Sequence, residues 1–271
     1  MMTNIFPKKH LGQNFLVDEN IKNRIIEACH FNPKDRVIEI GPGLGALTEK
    51  ILHRSDHLLA IETDAQLFRK LKEKIQPFVE QHPEKKIKIV HDDFLKYDLS
   101  SIPPQSKVVG NLPYNISSLI MEKLIRRQDL FSCFYFTVQL EFAKRLAAKP
   151  HSKDYGSLSC FAQYYCDVKI LFKIKNTCFR PIPKVVSSFV QMIPREPPHK
   201  ALNEALLFKI IRQSFQQRRK KFFNSLSSLI KKDRLEMICK ECRIDPHLRA
   251  ENLSLKNFVD IANLEVTMSG K

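Results

Sequence analysis

Residues 36–52 read RVIEIGPGLGALTEKIL. A short β-rich strand runs into a glycine turn, and the turn runs into a helix. Gly41, Gly43 and Gly45 are three of only seven glycines in the chain. Glycine tolerates positive φ and lets a ligand come close to the backbone. The following stretch, HLLAIETD at 57–64, reads as a second strand that ends at Glu62, 21 residues beyond Gly41. A carboxylate there accepts hydrogen bonds from both ribose hydroxyls of an adenosine-containing cofactor. Ala46 can stand for the last glycine of a dinucleotide fingerprint, so the turn and its acid do not choose between cofactors of that class.

The same alternation continues on both sides. Asp18 is placed to cap a helix carrying Ile21, Ile25 and Cys29. AQLFRKLKEKI is a helix, KIKIVHDDF a third strand, SKVVGN a fourth, SSLIMEKLIRR a helix, CFYFTV a strand and QLEFAKRLAA a helix. DVKILFKI and VSSFVQMI close the series as two strands joined by a loop without a helix, which predicts a partly antiparallel edge. Strands alternating with helices predict an α/β fold, a doubly wound seven-stranded sheet. PREPP at Pro194–Pro198 reads as a linker, and everything beyond it is helical. The expected organisation is an α/β domain over 1–194 and a small α-helical domain over 195–271.

The chain has 271 residues, is 43% hydrophobic and carries a formal charge of +16. That length supports one large domain with an appendage, and the charge favours a polyanionic partner, nucleic acid first. The tail is the more densely basic part, with sixteen Lys and Arg against nine Asp and Glu from Arg195 onward and a run at Arg218–Lys221. This is expected to be a nucleic-acid-binding surface. Seven scattered cysteines suit reduced thiols and exclude a disulfide framework. Cys239 and Cys242 have no second pair nearby, so they read as packing residues and no metal is expected. No apolar run has the length of a membrane span. The first fifteen residues, MMTNIFPKKHLGQNF, lack an apolar signal region, so a cytoplasmic protein with no membrane partner is expected.

Two further stretches sit at strand ends, where a doubly wound sheet binds its ligand. The third strand ends in Asp92 and Asp93. One of the two is placed to accept from the amino group of an adenine, and alternation does not say which. The fourth strand ends in Asn111, Leu112, Pro113 and Tyr114. Pro113 fixes its own φ and holds Leu112 extended. The exocyclic amine of a base is a poor nucleophile, because its lone pair is delocalised into the ring. The Asn111 side-chain carbonyl and the Leu112 backbone carbonyl, fixed near its N–H groups, favour its tetrahedral form. Tyr114 offers a face for an unstacked base. A hydride-transfer enzyme using NAD has no use for this combination. A methyltransferase using S-adenosylmethionine does, and it needs neither a metal nor a covalent nucleophile.

Together, KKHLGQNFL, EIGPGLGALT, NLPYNIS, VQLEFAKRL and FRPIPKVVSSFV resemble, in order from Lys8 to about Val190, the ribosomal RNA small-subunit adenine N6,N6-dimethyltransferases. The resemblance implies a Rossmann-like class I methyltransferase domain with a C-terminal α-helical domain. It implies dimethylation of two adjacent adenosines near the 3′ end of small-subunit (16S) rRNA. It implies a monomer that acts on the RNA or a pre-30S particle, with a role in small-subunit assembly. Asn14 and Leu16 would lie over the methionine end of S-adenosylmethionine, and Gly41 and Gly43 would contact its backbone. Glu62 would hold the ribose, and Asp93 of the paired acids would read the adenine. Asn111, Leu112, Pro113 and Tyr114 would hold the target base beside the cofactor, with Phe179 stacked on its other side. The stretch IQPFVEQHPEKKIKIV is longer than the family needs.

Three other readings compete. Large-subunit (23S) adenine N6-methyltransferases of the macrolide-resistance type share the motif but tend to carry Ile where Leu112 stands. A non-catalytic assembly factor would keep the fold without the chemistry. An NAD-dependent oxidoreductase would bind a nucleotide with no RNA affinity.

Overall fold

Strands and helices follow one another because the apolar spacing switches between two and 3.6 residues along the chain. The computed structural model describes residues 13–217 and 219–269. In chain order the elements are β1 (Phe15–Leu16), α1 (Glu19–Cys29), β2 (Arg36–Ile40), α2 (Thr48–Leu52), β3 (His57–Glu62), α3 (Ala65–Gln81) and β4 (Lys86–His91). They continue with β5 (Ser106–Asn111), α4 (Ser117–Ile125), β6 (Phe131–Gln139), α5 (Leu140–Leu146), α6 (Ser157–Tyr165), β7 (Cys166–Ile174), β8 (Phe179–Arg180) and β9 (Ser187–Pro194). The last four are α7 (Glu204–Gln216), α8 (Phe222–Leu226), α9 (Lys232–Glu241) and α10 (Leu255–Ser269).

The chain divides into two compact units, one comprising Met1–Ala143 with Val168–Pro194, the other Lys144–Asp167 with Arg195–Lys271. The first unit holds a seven-stranded sheet in the order β4-β3-β2-β5-β6-β9-β7. β2 pairs in parallel with β3 on one side and with β5 on the other. β4 and β6 extend the parallel run, and β9 lies antiparallel to β6. The chain therefore winds one way from β2 and returns to β2 from the opposite side. That reversal opens a crevice at the carboxyl ends of β2 and β5, where Gly41 and Asn111 emerge.

Local chemistry fixes these elements. Asp18 Oδ1 accepts the Ile21 N–H at 2.9 Å and starts α1; Asp64 does the same for Gln66 at the head of α3. Gly110 pairs with Ile40 across the β2–β5 ladder, and a Cβ there would stand 2.8 Å from the Ile40 carbonyl oxygen. Helix α3 runs to Gln81 with Pro77 inside it, so the stretch IQPFVEQHPEKKIKIV divides between the end of α3 and the strand β4.

The second unit has its own core. Tyr155, Cys160 and Tyr164 are buried in one cluster with Leu207, Ile211, Phe222 and Phe258. This corrects the expected boundary. Residues 144–167 pack with the C-terminal helices although they precede Pro194, because the apolar side chains of α6 find that cluster. Cys239 on α9 is buried in the same cluster. No helix of the described residues is long and apolar enough to cross a membrane.

Candidate active site

The crevice of the first unit is a cavity of about 450 Å³, within the range of small-molecule sites. Its lining brings together Asn14, Leu16, Gly41, Gly43, Glu62, Asp93 and Asn111–Tyr114. These residues come from five stretches of sequence, and the strand ends of β2, β3, β4 and β5 deliver most of them.

Glu62 is 6% exposed and uses each carboxylate oxygen once: Oε2 accepts the Gly43 N–H at 2.9 Å and Oε1 accepts the Asp64 N–H at 2.8 Å. Burial pushes its carboxyl above its ordinary value, and the backbone amides of Asp64, Gly43 and Thr63 work against that. Each oxygen keeps a lone pair for a further donor. Gly43 adopts φ +59°, which presents its N–H to Glu62, and a Cβ there would press on the Phe15 ring at 3.3 Å. A vicinal diol fits this arrangement. The wall asks for hydroxyl donors, and the glycine turn leaves room for a chain to pass. S-adenosylmethionine carries both features, so the residues present fit it.

Asp93 lines the cavity, whereas Asp92 turns its Oδ1 back to the Asp93 N–H at 2.7 Å. Gln13 and Glu39, neither of which stands out in the sequence, line the cavity as well. Gln13 Nε2 donates to Asp64 Oδ2 at 3.2 Å. Glu39 is fully buried, receives the Thr48 hydroxyl at 2.6 Å, and has its carboxyl pushed up to about 8 by burial, with Glu62 adding to the rise. A Glu inside a strand that reads VIEI is the signal that could have marked it.

Asn111, Leu112, Pro113 and Tyr114 are each held by hydrogen bonds. Asn111 Nδ2 donates to the Asn14 carbonyl at 2.8 Å, which leaves Oδ1 as the acceptor of that amide. Leu112 buries its side chain and gives its N–H to the Thr137 carbonyl at 3.2 Å. The Pro113 carbonyl accepts both the Ile116 N–H and the Ser117 hydroxyl, closing a turn into α4. Tyr114 Oη lies 2.7 Å from Ser187 Oγ on β9, and burial raises its phenol.

Phe179 is not part of this lining and corrects the expectation placed on it. It is fully buried, sharing a core cluster with Cys178 and Phe189. β8 pairs antiparallel with β1, Phe179 opposite Leu16 and Arg180 opposite Phe15. The alternation of that ribbon turns Phe179 inward and Arg180 outward.

The sequence profile of ribosomal RNA adenine dimethylase matches residues 6–265. A relative in Francisella tularensis subsp. novicida, named ribosomal RNA small subunit methyltransferase A, is 40% identical over 260 residues, covering 94% of this chain and 96% of its own. The protein of the same name in Francisella tularensis subsp. tularensis matches to the same extent. Among solved structures, a dimethyladenosine transferase from Plasmodium falciparum superposes with a TM-score of 0.77 at 24% identity, covering 94% of this chain and 98% of its own. The 23S rRNA methyltransferase ErmE superposes with a TM-score of 0.72 at 23% identity, covering 93% of this chain and 99% of its own. At those identities the two structures speak for the fold alone. Profile and relatives match over nearly the whole length: the chain belongs to the ribosomal RNA adenine dimethylase family.

Proposed function

We propose that this protein is an S-adenosylmethionine-dependent methyltransferase that dimethylates N6 of two adjacent adenosines near the 3′ end of small-subunit rRNA. Family membership supports the reaction, and the relatives named small subunit methyltransferase A support the choice of subunit. The observation that carries the chemistry is the Asn111 amide. Its nitrogen is committed to Asn14, and its oxygen is the acceptor at a cavity wall shared with Glu62.

S-adenosylmethionine supplies, when bound, a methyl group on a sulfonium centre. Glu62 would accept the ribose hydroxyls, Asp93 the adenine amino group, and the Asn14–Leu16 and Gly41–Gly43 segments would hold the methionine end. Asn111 Oδ1 and the Leu112 carbonyl would accept the N–H groups of the target amine, drawing its lone pair out of conjugation. Pro113 keeps those two acceptors in fixed relation, and Tyr114 gives the flipped base a platform. Positioning and aimed acceptors account for the catalysis. The protein works in the cytoplasm as a monomer, its substrate is small-subunit rRNA or a pre-30S particle that carries it, and the basic helical unit adds affinity for that RNA.

Labelled S-adenosylmethionine, supplied with separately purified unmethylated small and large subunits, tests this reading. The RNA is then digested to nucleosides. Label recovered as N6,N6-dimethyladenosine from the small subunit alone is expected. Label in the large subunit, or tight RNA binding with no label in either, would overturn it.

A further inference from the structure

The segment after β4 carries Asp93, Phe94 and Leu95 into the wall of the cavity. Part of it closes on itself. The Asp93 carboxylate accepts the Leu95 N–H at 2.9 Å, and the Asp93 carbonyl accepts the N–H groups of Lys96 and Tyr97 at 2.8 and 2.9 Å. These bonds use N–H donors of the turn, and the carbonyls of Leu95 and Tyr97 take their donor from elsewhere. Lys123, on the helix that grows out of the Asn111–Tyr114 loop, meets both. Its ammonium donates to the Leu95 carbonyl at 2.9 Å and to the Tyr97 carbonyl at 2.6 Å, with the Phe94 ring centroid 5.5 Å away.

Both acceptors are main chain, so the ammonium fixes the path of the backbone and not merely a rotatable side chain. Charge-assisted bonds of this kind are short and strong for their class. The side chain is half-buried; burial lowers the ammonium from its ordinary lysine range, and the carboxylates of Asp93, Asp92 and Asp98 oppose that fall.

We propose that Lys123 is a positioning residue for cofactor recognition: by strapping the Leu95–Tyr97 backbone to α4, it holds the Asp93 carboxylate where the adenine amino group is read. The inference rests on the reading of Asp93 given above. It also makes α4 a shared support, since the same helix starts in the loop that receives the target base. A displaced Lys123 would disturb selectivity for the adenine ring and leave the Glu62 contacts to the ribose in place.

The test compares S-adenosylhomocysteine with S-inosylhomocysteine, in which a ring carbonyl replaces the amino group, by calorimetric titration of the full chain. The wild type is expected to prefer the adenosyl compound. Lys123→Met should cut that preference about tenfold, a loss the size of one good hydrogen bond to a charged group, while binding the inosyl compound as the wild type does. Lys123→Arg, which keeps a cationic donor, should recover most of the preference. Lys123→Gln gives the same readout if the Met variant fails to fold. Asp93→Ala is the control for the underlying reading. If it leaves the preference unchanged, Asp93 does not read the amine and the proposal falls with it. If Asp93→Ala abolishes the preference while the Lys123 variants keep it, or weaken both compounds equally, Lys123 is only a structural tie and the proposal is overturned.

Discussion

Ser187 Oγ and Tyr114 Oη lie 2.7 Å apart, a bond between residues 73 apart in sequence that ties the loop after β5 to the antiparallel strand β9. A stacking platform needs a ring, not a hydroxyl, so the hydroxyl serves a different purpose and sets the angle of the ring. Ser187 is fully buried and has little freedom to follow the tyrosine elsewhere.

Ser187→Ala and Tyr114→Phe should therefore lower kcat/KM for the RNA substrate by similar amounts, about three- to tenfold each, the range of one neutral hydrogen bond. The double variant should be no worse than either single one. Cofactor affinity should not change. A Tyr114→Phe defect much larger than that of Ser187→Ala, and additive with it, would mean that the hydroxyl itself touches the substrate.

Glu62 provides a pH test. Its carboxyl is raised by burial, and only the ionised form offers four acceptor lone pairs without a competing donor. Cofactor affinity should thus fall as pH drops through a point above the ordinary carboxylate range, and level off at higher pH. Glu62→Gln should bind about 10- to 100-fold more weakly at neutral pH and lose this pH dependence. Titration calorimetry between mildly acidic and neutral pH measures both.

Gly110→Ala is a stability prediction. The added Cβ meets the Ile40 carbonyl oxygen at 2.8 Å, and a backbone atom inside a sheet cannot step aside as a side-chain tip does. A loss of about 1–3 kcal/mol is expected, read as a lower denaturant midpoint of the sheet-containing unit.

Much of this architecture is legible in the sequence, and the exceptions have physical reasons. The seven long strands and their alternating helices show as changes of apolar period, and all seven lie in one sheet. The ribbon of β1 and β8 escapes such reading because strands of two residues have no period. Phe179 is expected at the acceptor base on the resemblance alone, and it is found in the core. Helix α6, SLSCFAQYY, carries no charge to mark an exposed face; its partners lie beyond Pro194, so the sequence order hides its membership of the second unit. Asp92 and Asp93 follow β4 directly, and only the turn that folds Asp92 back on the Asp93 amide separates them.

The basic run of the second unit has a clear electrostatic signature. Arg219, Lys220 and Lys221 are exposed; Arg218 lies outside the described residues, as do Lys8–Gly12 of the N-terminal motif. Neutralising Arg218, Arg219, Lys220 and Lys221 together should weaken RNA binding and flatten its salt dependence by up to ~0.9 log units of slope for each phosphate no longer neutralised. Filter binding across a salt series measures the slope, and an unchanged slope would show the run to be a solvated face.

Asn111→Ala, assayed in parallel for cofactor binding and for methyl transfer to unmethylated small subunits, tests the central claim most directly. The account predicts cofactor affinity within a few-fold of wild type, because Glu62 and the glycine turn are untouched, together with a loss of transfer of about a hundredfold or more, the scale of removing one transition-state hydrogen-bonding group. Loss of cofactor binding with transfer intact at saturating cofactor would contradict it, and would make the amide a strut of the cavity, with the chemistry elsewhere.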